Sequence, residues 1–87
     1  MIVRIPSQLH SYTGGADRVE LAVLPTLGDA MKALDARYPG LRFRVIDEQG
    51  AVRPHIKVFV NRVQERSLAA ALAPADEVLV VAALSGG

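Results

Sequence analysis

One segment of this 87-residue chain has a clear helical period, and it limits the possible folds more than any other feature. Thr26 is a favourable N-cap, and Pro39-Gly40 stops the helix that follows it. The apolar residues between these signals recur at helical spacing and form one stripe: Leu27, Ala30, Met31, Leu34 and Tyr38. A helix with one apolar face needs a second layer to cover it, which the rest of the chain has to supply.

The segments on both sides of this helix alternate with a period of two, which is typical of strands. Strands are predicted at residues 1–5, 19–23, 56–60 and 77–82. Residues 41–46 fit either a strand, by their alternation, or a helical turn, by an apolar pair at i and i+4. Residues 68–72 are predicted to form a short helical turn.

The order of these elements predicts an α+β domain with a mixed four- to five-stranded sheet packed on one main helix. If the two terminal strands pair in parallel at the centre of the sheet, the fold is a β-grasp, or ubiquitin-like, fold. We expect residues 1–83 to form this domain and residues 84–87 to form a flexible tail. The residues expected between helix and sheet are Val3, Ile5, Leu21, Leu27, Met31, Leu34, Ile56, Val58, Val60, Val78 and Val80.

Composition excludes several classes of function. The chain has no cysteine, which excludes disulfides, thiolate zinc sites and a cysteine nucleophile. Its formal charge is +1 with both signs interspersed, and aromatic residues are 5% of the chain, so nucleic-acid binding is not expected. No apolar run approaches the ~20 residues of a membrane span, and the N-terminus lacks the layout of a signal peptide. We therefore expect a cytoplasmic protein without a membrane partner.

The residues that carry chemistry do not form a catalytic or metal-binding pattern. His10 and His55 have no ligand spacing around them, so surface or loop positions are predicted rather than a metal site. The acid pairs Asp47-Glu48 and Asp76-Glu77 lie in predicted turns, which rarely hold the split pKa values of a catalytic pair. Gly14-Gly15 lacks the lysine and hydroxyl of a phosphate-binding loop. We expect no enzyme activity and no bound metal or cofactor.

The last strand leads directly into Leu84, Ser85, Gly86 and Gly87. Glycine normally supplies backbone angles for a turn, but no residue follows Gly87. One interpretation is a frayed terminus. The other is a flexible end without side chains that enters a narrow channel and presents its carboxylate to an enzyme.

Several short motifs resemble one family along essentially the whole chain, the MoaD/ThiS-type ubiquitin-like sulfur carriers. The similarity is closest to members that feed sulfur into cysteine biosynthesis. The motifs are Ile5-Pro6-Ser7-x-Leu9, Tyr12-Thr13-Gly14-Gly15, Leu34-x-Ala36-x-Tyr38-Pro39-Gly40-Leu41, Val58-Phe59-Val60-Asn61, Asp76-Glu77-Val78 and the terminal Gly86-Gly87.

This resemblance implies that partner enzymes act on the Gly87 carboxylate. A ubiquitin-activating-type enzyme would use ATP to adenylate it, a sulfur donor would convert it to a thiocarboxylate, and a biosynthetic enzyme would accept the sulfur. A C-terminal-processing protease would be a further partner if the encoded chain continues past Gly87. The small subunit of molybdopterin synthase and a ubiquitin-like binding module without carrier chemistry remain alternatives.

Strand alternation also predicts a surface for these partners. If Val58 and Val78 face the helix, then Phe59, Leu79 and Val81 face outward. Arg4 and Lys57 are expected near the rim of this open face. An exposed apolar patch with a charged border is a common docking surface, and this one leads to the tail.

Overall fold

The computed structural model describes residues 1–22 and 24–83. In these residues one sheet has five strands in the order β2-β1-β5-β3-β4. The strands are β1 (Ile2–Arg4), β2 (Arg18–Glu20), β3 (Ile56–Val60), β4 (Val63–Gln64) and β5 (Glu77–Ala82). The helices are α1 (His10–Thr13), which follows a 3₁₀ turn at Ser7–Leu9, then α2 (Leu27–Arg37) and α3 (Leu41–Val45).

The two terminal strands are parallel neighbours at the centre of the sheet. Val3 of β1 lies opposite Val78 of β5 in a parallel register. The pairs β1–β2, β3–β5 and β3–β4 are antiparallel, so the sheet is mixed. The α+β prediction is confirmed in its five-stranded form, and the parallel central pair gives the β-grasp topology.

Helix α2 begins and ends where the sequence predicts. The Thr26 hydroxyl accepts a hydrogen bond from the backbone N–H of Asp29 (3.2 Å) and donates one to the Asp29 carboxylate (2.8 Å). This reciprocal cap satisfies one of the free N–H groups of the first turn. The predicted stripe faces the sheet, with Leu27, Ala30, Met31 and Leu34 buried and Tyr38 packed against the core.

Residues 41–46, which fit two structures in the sequence, form the single helical turn α3. Gly40 has a φ of 94°, which redirects the chain after α2. Leu41 and Val45 are then one turn apart and both are buried, whereas Phe43 between them is 54% exposed. The i, i+4 pair therefore determines this segment, and its strand-like alternation has no structural role.

The helical turn predicted at residues 68–72 is wrong. This segment contains a turn and an isolated bridge between Ala71 and Thr26. Its carbonyl groups cap the start of α2: Gly28 N–H donates to Leu68 O (2.8 Å) and Leu27 N–H to Ala70 O (3.0 Å). Carbonyls bonded in this way satisfy the free first-turn donors of α2 and are not used within a local helix.

The predicted core is buried except for Leu21 and Val60, which are only partly covered. Leu21 follows the end of β2, which stops at Glu20, earlier than predicted, and Val23 lies outside the described residues. Val60 is the last residue of β3 and pairs with Val63 of the edge strand. The core also contains five residues that were not predicted: Leu9, Val19, Leu41, Val45 and Ile46.

The longest helix in the described part of the chain, α2, has 11 residues. No helix within residues 1–22 and 24–83 has the length and apolar character needed to cross a membrane.

Candidate functional site

The five residues predicted to bind partners lie together on the face of the sheet remote from α2. In β5, Leu79 lies opposite Phe59 of β3 on one side and opposite Arg4 of β1 on the other. Val81 lies opposite Lys57 of β3. Residues that lie opposite one another in neighbouring strands share a face. The alternate residues of β5 are buried on the helix side, so this set faces outward.

This open face has an apolar centre between two cations. Leu79 is 38% exposed, Val81 is 37% exposed, and Phe59 is partly buried beside them. Arg4 and Lys57 are exposed and border this centre. The strand order places β1 and β3 directly on either side of β5, so both cations adjoin the apolar centre.

The register adds residues to this face that the sequence analysis missed. Arg18 of β2 lies opposite Arg4, and Gln64 of β4 lies opposite Phe59, so polar side chains occupy the two edge strands. Ile2, which is partly buried, lies opposite Glu77, and Arg4 Nε is 3.4 Å from the Glu77 carboxylate. The alternation of β1 places Ile2 on the same face as Arg4, so the sequence alone was sufficient to assign Ile2 to the open face.

The sheet holds the C-terminal strand as far as Ala83. The backbone N–H of Ala83 donates to His55 O (2.8 Å), and Gln8 Nε2 donates to Ala82 O (3.3 Å). We call Ala82 and Ala83 the tail base. The predicted tail residues Leu84, Ser85, Gly86 and Gly87 lie outside the described residues.

A cleft of about 440 Å³ opens beside the tail base. It lies between the segment around α1 and the start of β3, at the end of the sheet where β5 terminates. Five of its lining side chains are polar or charged: Gln8, Ser11, Tyr12, Arg44 and His55. They come from three segments, residues 8–12, Arg44 and His55, and the fold brings these segments together.

The acidic turns have a structural role. Backbone N–H of Ala73 and the side-chain amide of Asn61 donate to the Asp76 carboxylate and lower its pKa. The pKa of Asp47 is also lowered, chiefly by the backbone N–H of Ala51. Both carboxylates are thus held in the ionised form by the turns that they close.

In the part of the chain that the structure describes, neither histidine belongs to a cluster of three or more metal-ligating side chains. His10 Nε2 lies 2.9 Å from Ile5 O, and His55 lines the cleft at the tail base. Within residues 1–22 and 24–83, no group of three or more His, Asp or Glu side chains is arranged to hold a metal ion.

A central parallel pair of terminal strands, one main helix across the sheet and a last strand that leads out of it define a ubiquitin-like β-grasp protein. This chain belongs to the ThiS family, whose family model matches residues 3–87.

Two curated relatives are similar over most of the chain. Sulfur carrier protein CysO of Mycobacterium tuberculosis is 34% identical, over 98% of this chain and 96% of that protein. Small archaeal modifier protein 3 of Haloferax volcanii is 40% identical over 65 residues, which are 71% of this chain and 70% of that protein.

Solved structures share the fold over nearly its full length. A chain of the Amycolatopsis orientalis BexX/CysO complex superposes with a TM-score of 0.88 at 28% identity and covers 99% of this chain and 98% of that chain. The crystal structure of Mycobacterium tuberculosis CysO gives a TM-score of 0.87 at 31% identity, with 95% and 98% covered. The sequence resemblance to the sulfur-carrier family is therefore confirmed at the level of family and fold.

Proposed function

We propose that this chain is a cytoplasmic sulfur carrier whose Gly87 carboxylate is adenylated and then converted to a thiocarboxylate. The observation that carries the proposal is the similarity to a named sulfur carrier protein over 98% of the chain, together with the family-model match that extends to Gly87. The acceptor of the sulfur would be a biosynthetic enzyme for cysteine or a related sulfur-containing metabolite.

The chemistry requires an activated carboxyl group. A carboxylate is a poor electrophile, because its negative charge is shared by both oxygens. An adenylating enzyme would transfer AMP from ATP to the Gly87 carboxylate, with release of pyrophosphate. Hydrosulfide, the simplest sulfur donor, would then attack the carbonyl carbon, displace AMP and lose its proton, which leaves the sulfur on Gly87 as a thiocarboxylate. The resulting thiocarboxylate is a nucleophile that remains bonded to the carrier, so the sulfur reaches its acceptor without release of free sulfide.

This chain contributes geometry rather than catalytic groups. The sheet holds the backbone as far as Ala83, so the four residues after it set the depth that the reacting carbon can reach. Four fully extended residues span at most about 14 Å. Gly86 and Gly87 have no side chains, and the tail can therefore occupy a channel too narrow for other residues.

The open face of the sheet would position the tail during docking. Leu79 and Val81 lie on β5, the strand that leads into the tail, and Lys57 and Phe59 lie beside them on β3. A partner bound to this face would hold β5, and through it would direct Gly87 towards its active site. The similarity to a chain of the BexX/CysO complex supports docking of this fold on a partner protein.

The mass of the intact chain tests the proposal. We expect incubation with the adenylating enzyme, ATP and a sulfur donor to replace one oxygen of the chain by one sulfur. Gly87→Ala is the matched variant, because it adds one methyl group where the channel would enclose the backbone. Its conversion should be sharply slower with unchanged folding, and an extra residue after Gly87 should block conversion completely. Failure of the wild-type chain to gain sulfur would contradict the carrier function.

A second candidate function is covalent attachment to other proteins. It is favoured by the 40% identity to a small archaeal modifier protein. Activation of Gly87 would be the same, but a lysine amine would displace AMP and form an amide. A new covalent adduct at the combined mass of two proteins, in place of the sulfur-containing chain, would favour this candidate.

A further inference from the structure

We propose that Arg44 and Arg53, beside the tail base, bind carboxylate side chains at the rim of the partner enzyme's tail channel. This inference rests on the proposed function, because it requires a partner that encloses residues 84–87. The two arginines would give the partner a second contact beside the tail base, in addition to its contact with the open face of the sheet.

The two arginines line adjoining hollows at the end of the sheet. Arg44 and His55 line the cleft of about 440 Å³ at the tail base. The same two residues, together with Phe43 and Arg53, line a smaller hollow of about 140 Å³. The hollows therefore form one surface that continues from Ala83 to Phe43.

Both guanidinium groups are held in place from within the chain. Arg44 Nε donates to the Tyr12 hydroxyl, and its guanidinium carbon lies 5.5 Å from the Tyr12 ring centre. Arg53 Nε donates to Phe43 O (2.7 Å), and its guanidinium carbon lies 4.5 Å from the Phe43 ring centre. In each case Nε donates its hydrogen bond within the chain, so the two terminal nitrogens, Nη1 and Nη2, remain available to bind a carboxylate. A guanidinium fixed in this way loses less entropy when it binds.

This surface has no acidic residue of its own. No Asp or Glu lines either hollow, and in the described residues neither Arg44 nor Arg53 forms an ion pair. Asp47 accepts hydrogen bonds from the backbone N–H groups of Ala51 and Gln49, which together with Arg53 lower its pKa, and lies beyond ion-pair distance of Arg53. Glu65 lines a separate hollow together with Arg53. The surface is therefore cationic and complements an acidic partner.

Position and an exposed aromatic ring favour a protein partner. Ala82 and Ala83 line the larger hollow, so an enzyme that surrounds the next residues has its rim against this surface. Phe43 is 54% exposed beside the arginines and offers an apolar contact. Rim charges chiefly accelerate association and make it salt-dependent.

A charge reversal tests this surface in the thiocarboxylation assay with the adenylating enzyme. We expect Arg44→Glu with Arg53→Glu to raise KM about tenfold or more with little change in kcat, because two attractive contacts become repulsive. Arg62→Glu is the matched control, because Arg62 lies after β3 at the opposite end of the sheet. It should change KM less than about twofold. Raising the salt concentration should increase the wild-type KM and lower that of the reversed variant, because salt screens the attraction in the first and the repulsion in the second.

Each outcome separates the two proposals. If the wild-type chain gains no sulfur, the proposed function is wrong and the rim contact falls with it. If the wild type reacts and the reversed variant matches Arg62→Glu, only the rim contact is overturned. The double variant Arg44→Gln with Arg53→Gln should show a smaller increase in KM with little change in kcat. It replaces the glutamate variant in the assay if that variant does not fold. Saturable binding of inorganic phosphate, or a dimer lost in the variant, would assign the surface to a small anion or to a second copy and overturn the proposal.

Discussion

At the scale of single residues, Asn61 joins the end of β3 to the start of β5. Its φ is 50°, its amide donates to the Asp76 carboxylate (2.6 Å), and its amide oxygen accepts from the backbone N–H of Glu77 (2.9 Å). Asn61→Ala loses these bonds and places alanine, which tolerates positive φ less well than asparagine, at this position, so we expect a loss of about 1–2 kcal/mol in the free energy of unfolding. Asn61→Gly should lose less, because glycine accepts this φ. Equal urea midpoints for wild type and Asn61→Ala would contradict this role.

The lowered pKa of Asp76 predicts how stability depends on pH. The backbone N–H of Ala73 and the Asn61 amide favour the ionised carboxylate in the folded state, whereas the unfolded chain has the ordinary pKa of 3.8. Protons are therefore bound more tightly by the unfolded chain, and the contribution of Asp76 is present above pH 3.8 and is lost as the pH falls below it. Asp76→Asn should show a shallower loss of stability in acid-unfolding curves. An unchanged slope would mean that the turn does not persist in solution.

At the scale of the element, helix α2 is held by its apolar stripe. Leu34 is 2% exposed at the centre of the stripe, and the exposed Lys32 lies two residues away on the other side. Leu34→Ala should lower the free energy of unfolding by about 2–5 kcal/mol, because the neighbours cannot close the cavity. That is a large part of the 5–15 kcal/mol typical of a small domain. Lys32→Ala is the control and should leave the denaturation midpoint nearly unchanged. An equal effect of the two changes would contradict the packing of α2 on the sheet.

At the scale of the whole molecule, the open face of the sheet is expected to bind the adenylating enzyme. Phe59→Ser and Leu79→Ser remove the apolar centre of this face, and an aromatic anchor at an interface can contribute about 2 kcal/mol or more. We expect each variant to bind more weakly in calorimetry while its circular dichroism spectrum is retained. Val63→Ser is the control, because Val63 is 70% exposed on edge strand β4 and lies on the other face. Unchanged affinity in both folded variants would exclude this face as the docking site.

The sequence by itself determined the elements whose period is local. The stripe of α2 and its Thr26 cap set the helix bounds, and the alternation of β3 and β5 placed Phe59, Leu79 and Val81 on one face. These signals need no distant contact, because the helical period and the strand period are properties of the backbone itself. The glycine pair and its neighbouring motifs indicated the family for the same reason: they are contiguous in the chain.

Only the tertiary structure decided which distant segments meet. Residues 68–72 have a helical pattern, but their carbonyls bond the first turn of α2, a contact between segments 40 residues apart (68 minus 28). The strand order placed Arg4 and Lys57 on the two sides of β5. The cleft at the tail base is formed by segments from both halves of the chain. Such sites depend on non-local pairing and packing, which override local propensity because they bury far more apolar surface and satisfy the remaining backbone groups.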